Sequence, residues 1–340
     1  MSDREGELRA IDWVDGAIEI IDQTALPDEL VTRRLTTVPD LVEAIRSLAV
    51  RGAPALGVAG AMGVALAARA HPTGDDAWEA AVRLVAVARP TAVNLASGAA
   101  RAAARLHDGP EAVLAEALAV RDEEIASSAA MAARGADLVT ALCGPAPRVL
   151  THCNTGSLAT VTGGTALGVI TELHTRDALG GVIASETRPL LQGSRLTAWE
   201  LNRNGIDYRL AVDGAGPFLM ARGEVDVVIV GADRVCANGD IVNKIGTYAH
   251  ALGAARAGLP FVVVAPESTV DEATLSGDQV AIEDRDAAEV LGFGGTVVAP
   301  TGAGVANPAF DVTPRDLVTA IVTDTRVLHP PEPAHHHPSR

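Results

Sequence analysis

The run Val227-Val228-Ile229-Val230-Gly231-Ala232-Asp233-Arg234 constrains this chain most. Four consecutive apolar β-formers bounded by glycine read as a strand covered on both faces. Sheets built from such strands carry their chemistry just beyond the strands' carboxyl ends. Asp233 stands at that end. Half-sheltering raises the pKa of a carboxylate placed there and suits it to general acid–base work. Arg148-Val149-Leu150-Thr151-His152-Cys153-Asn154 repeats the design with a thiol at the strand end. One thiol and one carboxylate so placed point to an enzyme that moves protons on a small molecule.

The surrounding pattern agrees. Strands expected at 148–153, 181–185, 208–212, 226–231 and 260–265 alternate with helices at 157–173, 191–204, 215–222 and 243–257; a further strand falls near 295–299. This alternation predicts a parallel sheet with helices on both faces and right-handed connections. The preceding half is mostly helical. Two short strands around Asp15-Gly16 are followed by helices at 38–50, 55–70, 75–88, 94–107 and 110–142, the last bending near Ser127-Ser128 or Gly135. The tail from Pro330 reads as disordered, and its His335-His336-His337 as solvated rather than metal-binding.

Composition removes several classes of function. A net charge of −16 argues against nucleic acid, whose binding rests on cationic contacts to phosphate. A small phosphorylated ligand needs only a local nest and one or two cations, so it stays open. Three cysteines, Cys143, Cys153 and Cys236, are too few and scattered for a disulfide framework, and none has metal-ligand spacing. The acidic, polar N-terminus is no signal peptide. No run of 18 or more apolar residues appears, so no membrane span is expected and the cytoplasm is the default.

Four stretches carry candidate chemistry. Arg51-Gly52-Ala53-Pro54 precedes a helix, where backbone N–H groups and Arg51 suit an anion; an ordinary turn with a solvated arginine explains it as well. In Thr151 to Ser157, helix N-terminal N–H groups would bind phosphate and lower the Cys153 pKa, the alternative being a buried structural cysteine beside a cap. His152 and Cys153, as strand neighbours, face opposite ways and imply no nucleophile pair. Glu186-Thr187-Arg188-Pro189 and Gln192-Gly193-Ser194-Arg195 place ligand-type side chains at another strand end, with a Glu186–Arg188 ion pair as the plain account. Asp233 is followed by Asp240, which reads as a turn or cap residue, and by Asn243-Lys244 at an expected helix start, an amide and a cation suited to sugar hydroxyls or phosphate. For Asp233 itself, a cap or an ion pair with Arg234 is the alternative. Gly163 to Gly168 lies inside a helix-like segment and does not read as a dinucleotide loop.

Together these motifs resemble the methylthioribose-1-phosphate isomerases, part of a larger family that includes regulatory subunits of a eukaryotic translation initiation factor. The matching blocks are RGAPALG (51–57), ARPTAVNL (88–95), THCNTGSLAT (151–160), ETRPLLQGSRLTAWEL (186–201), VGADRVCANGDIVNKIGTY (230–248), APESTVD (265–271) and NPAFDVTP (307–314). The resemblance implies an α/β fold with a Rossmann-like parallel-sheet C-terminal domain, 126–328, and a smaller, mainly helical N-terminal domain, 1–125, ahead of the tail at 329–340. It implies a homodimer acting on a small sugar phosphate without cofactor or metal. It places the catalytic roles on Cys153 and Asp233, and substrate contacts on Arg51, Gly52, Ala53, Arg89, Gln192, Asn243 and Lys244. Of these, Arg89 carries no signal of its own.

Two runs depart from the family pattern. Asp213-Gly214-Ala215-Gly216-Pro217 and the small residues of 94–101 remove volume near the expected sugar pocket. They open the 5-substituent to methylthio, deoxy or phosphate, that is, to isomerases of 5-deoxyribose 1-phosphate or ribose 1,5-bisphosphate. A non-catalytic regulatory subunit is the alternative of another class; it has no need of both Cys153 and Asp233. A nicotinamide-dependent dehydrogenase fails for want of a Gly-rich turn after a first strand.

Overall fold

The computed structural model describes residues 8–71, 74–89 and 92–330. The expectations for the extreme N-terminus and for His335-His336-His337 lie outside them. The first half opens with a three-stranded antiparallel sheet, β1 (Ile11–Val14), β2 (Ala17–Ile21) and β3 (Thr32–Leu35). Five helices follow: α1 (Val38–Arg46), α2 (Ala53–Ala70), α3 (Asp76–Ala86), α4 (Val93–Ala103) and α5 (Pro110–Cys143). By length and composition α2 meets the requirement for a membrane span, which the sequence reading had not found in any segment. It is instead the core helix of this layer, buried along most of its length against α3, α4 and α5.

The small residues of α2 and α4 explain that packing. A Cβ on Gly60 would stand 2.2 Å from the Leu95 carbonyl oxygen, and one on Gly98 would stand 2.0 Å from that of Gly57. Only glycine lets two helix backbones meet this closely. The small residues of 94–101 thus serve the α2–α4 contact. They were expected to enlarge the sugar pocket.

The large sheet has seven strands in the order β16-β15-β10-β7-β4-β5-β6. In chain order these are β4 (Arg148–Thr151), β5 (Gly181–Ser185), β6 (Tyr208–Ala211), β7 (Val227–Val230), β10 (Phe261–Val264), β15 (Ala320–Val322) and β16 (Val327–Leu328). All pair in parallel except the edge pair β15–β16. Period-2 alternation divides the side chains of β7. Val227 and Ile229 join one core, Val228 and Val230 the other. Helices α6 (Ala166–Thr175), α7 (Ala198–Arg203), α8 (Gly216–Ala221) and α9 (Thr247–Ala257) pack around the sheet. Helix α5 joins the two halves. Its Val113 and Ala117 sit in the helical core, its Met131, Ala136 and Val139 in a core of the sheet. It runs unbroken through both places where a bend was expected.

The order of the parallel strands matters most for function. From β4 the chain builds outward through β5 and β6, then returns to β7 on the other side and continues to β10 and β15. Neighbouring strands β4 and β7 therefore flank a topological switch point, where open sheets form a crevice at their carboxyl ends.

A second, four-stranded sheet was not expected from the sequence. It contains β8 (Arg234–Cys236), β9 (Ile241–Lys244), β11 (Val270–Asp271) and β14 (Phe310–Thr313). Asn243 and Lys244 accordingly end a strand, where a helix start had been read. The signal was Asn238-Gly239, a turn dipeptide that folds β8 back on β9. The strand expected near 295–299 is only a two-residue hairpin arm, β13 (Thr296–Val297) on β12 (Gly292–Phe293) after the short α10 (Ala288–Leu291), and it lies outside the main sheet. Gly163 and Gly164 have positive φ and form a turn ahead of α6, not part of a helix.

Candidate active site

Cys153 follows β4 and Asp233 follows β7, so the two groups stand on either side of the switch point. A cavity of about 280 Å³ opens beside Asp233. Gly52, Ala53 and Arg89 line it together with Asp233, four of the nine residues expected in the site. Leu56, Val93, Val280, Ile282 and Phe310 give the lining an apolar part, beside Arg234 and Gln279. Asn94 also contributes.

Asp233 is accessible through this cavity yet lies deep within the protein. Burial pushes its carboxyl above the ordinary carboxylate value, and Arg89, Arg51 and Lys244 pull it back down. Three cations thus converge on one carboxylate in an acidic chain. Arg234, the alternative partner, also lines the cavity but binds Asp271 at 2.8 Å and Thr274 at 2.9 Å. The backbone N–H of Asp233 donates to Val242 of β9 at 2.9 Å, which ties the second sheet to the site.

Cys153 is half-buried, and burial raises its thiol above the usual range against the opposing pull of Arg51 and Lys244. The expected lowering by a helix N-terminus is absent. Only a single 3₁₀ turn, Ser157–Ala159, follows the loop, too short to gather a useful dipole. Cys143 and Cys236 are the packing residues the sequence suggested: Cys236 is buried in β8, and the Cys143 thiol reaches only the Asp226 carbonyl. His152 is fully buried and faces away from the thiol's role. Its Nε2–H donates to the Ile245 carbonyl at 2.8 Å, which leaves Nδ1 to accept from the Ser185 hydroxyl at 2.5 Å. Burial holds its pKa down at about 4, so it is neutral.

Arg51 is buried, and two of its nitrogens are taken by Asn154. It therefore has fewer N–H groups for an anion than a free bidentate clamp would. Gly52 has φ 97, and a Cβ there would meet the Ala159 carbonyl oxygen at 2.3 Å, so glycine is required to start α2 against this loop. Lys244 and Asn243 are buried on β9. Burial lowers the Lys244 pKa, while Cys153 and Asp233 pull it back up; the Asn243 amide donates to Thr247 at 2.9 Å. Gln192 is buried with its Oε1 unpartnered among the protein groups. None of Cys153, Gln192, Asn243, Lys244 and Arg51 lines the cavity itself; Lys244 and Arg51 act on both Asp233 and Cys153 through their charges, and Asp233 in turn raises the Cys153 thiol.

The neighbouring candidates are structural. Asp240 accepts from the backbone of Gly277 and Arg315, a cap as expected. Arg188 donates to the carbonyls of Pro189 and Glu289, not to Glu186. Asp213, at the start of the departing run, holds the backbone N–H groups of Thr187 and Arg188 at 2.8 and 2.7 Å. Gly216 in the same run makes room for the His250 ring. Sequence reasoning missed both roles because they join elements far apart in the chain. Among the described residues, no three His, Cys, Asp or Glu side chains converge as metal ligands would.

Residues 49–330 match the model of the initiation factor 2 subunit family. A probable bifunctional methylthioribose-1-phosphate isomerase/methylthioribulose-1-phosphate dehydratase of Nocardia farcinica is 54% identical over 94% of this chain; the chain spans 59% of that protein's length. The methylthioribose-1-phosphate isomerase of Xanthomonas axonopodis is 48% identical over 97% of this chain and 94% of its own. A 5-deoxyribose 1-phosphate isomerase of Moorella thermoacetica is 50% identical over 94% of each. Among solved structures, 5-methylthioribose 1-phosphate isomerase from Pyrococcus horikoshii superposes with TM-score 0.88 at 38% identity, covering 97% of this chain and 96% of that one. A translation initiation factor eIF-2B delta subunit from A. fulgidus gives TM-score 0.84 at 43% identity, covering 95% and 96%.

Proposed function

The chain belongs to the initiation factor 2 subunit family, and we propose that within it this protein is the aldose–ketose isomerase that converts 5-methylthioribose 1-phosphate to 5-methylthioribulose 1-phosphate in methionine salvage. The observation that carries this reading is the pairing of Cys153 and Asp233 across the switch point, with Arg51, Arg89 and Lys244 acting on the carboxyl. A regulatory subunit would need neither group so placed.

The substrate's anomeric oxygen carries phosphate, so its ring cannot open as a free aldose does. Isomerisation must break the bond between C1 and the ring oxygen, move hydrogen from C2 to C1, and remove the proton of the C2 hydroxyl. Asp233, with its carboxyl raised by burial, is the general acid that delivers a proton to the ring oxygen. Cys153 is the base or proton relay at C2. Arg51, Arg89 and Lys244 supply positive charge for the phosphate, and Gly52 and Ala53 offer backbone at the start of α2. Gln192 and Asn243 are hydroxyl ligands.

The apolar wall of Leu56, Val93, Val280, Ile282 and Phe310 supports an uncharged 5-substituent. A second phosphate there would meet mostly apolar side chains and an Arg234 already paired with Asp271, so its lost hydration would be poorly replaced. Ribose 1,5-bisphosphate is therefore disfavoured, while 5-deoxyribose 1-phosphate fits the same wall and is the second reading. Val212, Phe218, Tyr248 and Leu252, on and beside α8 and α9, are large apolar side chains left exposed, in keeping with a homodimer. We assign 1–125 to a helical domain and 126–328 to a Rossmann-like domain on the division of cores described above.

The test is turnover of the three pentose phosphates side by side. Methylthioribose 1-phosphate should be preferred and the bisphosphate poorest; preference for the bisphosphate would overturn the assignment. Run in deuterium oxide, the same assay separates proton from hydride transfer: a proton route labels C1 of the product, and full retention of the C2 hydrogen rejects it.

A further inference from the structure

Two residues that are neither glycine nor asparagine adopt the left-handed region where β4 and β5 end: Cys153 at φ 65 and Thr187 at φ 64. For a β-branched residue such as threonine this conformation is an outlier, and it persists only where surrounding contacts over-determine it. The Asp213 carboxylate accepts the Thr187 N–H at 2.8 Å and the Arg188 N–H at 2.7 Å. The fully buried Thr187 hydroxyl accepts the Cys153 N–H at 2.9 Å and donates to the Ser185 carbonyl at 3.1 Å. On the other side of the same residue, the Thr197 hydroxyl donates to the Cys153 carbonyl at 2.6 Å. Both peptide groups flanking the thiol are therefore held by threonine hydroxyls.

We propose that Thr187 and Asp213 are positioning residues for Cys153: the Asp213 carboxylate locks Thr187 in its left-handed turn, and the Thr187 hydroxyl fixes the Cys153 backbone and with it the placement of the thiol. The catalytic half of this statement rests on the isomerase reading above; the structural half does not. Strained backbone maintained at a reactive side chain marks pre-organisation, since a small misplacement of a reacting group costs rate far more than binding.

The experiment uses the full chain as Thr187→Val, Thr187→Ser and Asp213→Asn. Valine keeps the shape and loses the hydroxyl, serine restores the hydroxyl, and asparagine leaves one acceptor oxygen for two N–H groups. Three quantities are read: kcat against KM, the pH profile of Cys153 alkylation by iodoacetamide followed by mass spectrometry, and the melting temperature. Thr187→Val should lose about tenfold or more in kcat with KM nearly unchanged, and Thr187→Ser should recover most of it. The Cys153 alkylation profile should move in Thr187→Val and Asp213→Asn and return in Thr187→Ser. Wild-type alkylation profiles in folded Thr187→Val and Asp213→Asn would overturn the proposal. Should Thr187→Val fail to fold, Asp213→Asn and Thr187→Ser decide it by the same profile. A wild-type protein that turns over no sugar phosphate would remove the isomerase reading, and the alkylation profiles would still settle the positioning.

Discussion

Arg51 gives two nitrogens to one residue, donating to the Asn154 side-chain oxygen at 2.9 Å and to the Asn154 carbonyl at 2.8 Å. The Asn154 amide in turn donates to the buried Glu200 carboxyl at 2.7 Å, which also accepts from Ser157 at 2.6 Å. A cation that acts on both Cys153 and Asp233 is thus held by a chain of hydrogen bonds anchored beneath the site.

Removing the middle of that chain should be costly twice. Asn154→Ala leaves the buried Glu200 short of a donor, a loss of about 1–3 kcal/mol. It also lets Arg51 leave its fixed place beside Cys153 and Asp233, so KM should rise. Urea denaturation and steady-state kinetics on the same sample check both; unchanged stability would show that Glu200 finds another partner.

The pH dependence follows from Asp233. A general acid works protonated, so kcat should fall as pH rises through its raised pKa. Arg89 is the strongest of the cations that pull this pKa down. Arg89→Met should therefore carry the alkaline limb of kcat to higher pH at saturating substrate. Movement to lower pH would contradict the assignment.

Glu124 makes a prediction about stability alone. It is buried on α5, and burial followed by the nearby charge of Asp324 pushes its carboxyl from 4.5 up to about 8. The folded state thus holds a proton that the unfolded state releases. The stability it contributes is full below the ordinary value and is lost as pH rises toward 8. Glu124→Gln should flatten that fall and stabilise the protein at pH 8 by on the order of a few kcal/mol. Denaturation midpoints at pH 5 and pH 8 measure it; parallel pH slopes in both proteins would refute it.

Gly52→Ala should be among the most damaging single-methyl additions. Its φ of 97 and the 2.3 Å approach to the Ala159 carbonyl leave no room for a Cβ. A loss of about 2 kcal/mol or more is expected, together with weaker substrate binding, because the start of α2 must shift. Thermal melts and KM report on the two effects.

The large sheet was legible because Val227 to Val230 and Val149-Leu150 are buried on both faces, and burial of that kind leaves an unbroken apolar run. Its strand ends named Cys153 and Asp233 before any geometry was known. The second sheet was not legible: Asp240 after Asn238-Gly239 was read as a turn or cap residue, but Ile241–Lys244 was taken as the approach to a helix and not as the returning strand. Arg89 carried no local signal, since it acts on Asp233 through space from the helical half. Asp213 was noted only as the start of a run whose following residues depart from the family pattern; its own role was not legible because its partners Thr187 and Arg188 lie on another strand's loop.

The most direct test of the central claim follows methylthioribose 1-phosphate by NMR with the purified protein, Cys153→Ala and Asp233→Asn. The account predicts ketose 1-phosphate from the wild type and a loss of about 10²-fold or more in each folded variant. Unchanged turnover in either variant would contradict its role. No ketose from folded wild-type protein would contradict the isomerase assignment itself.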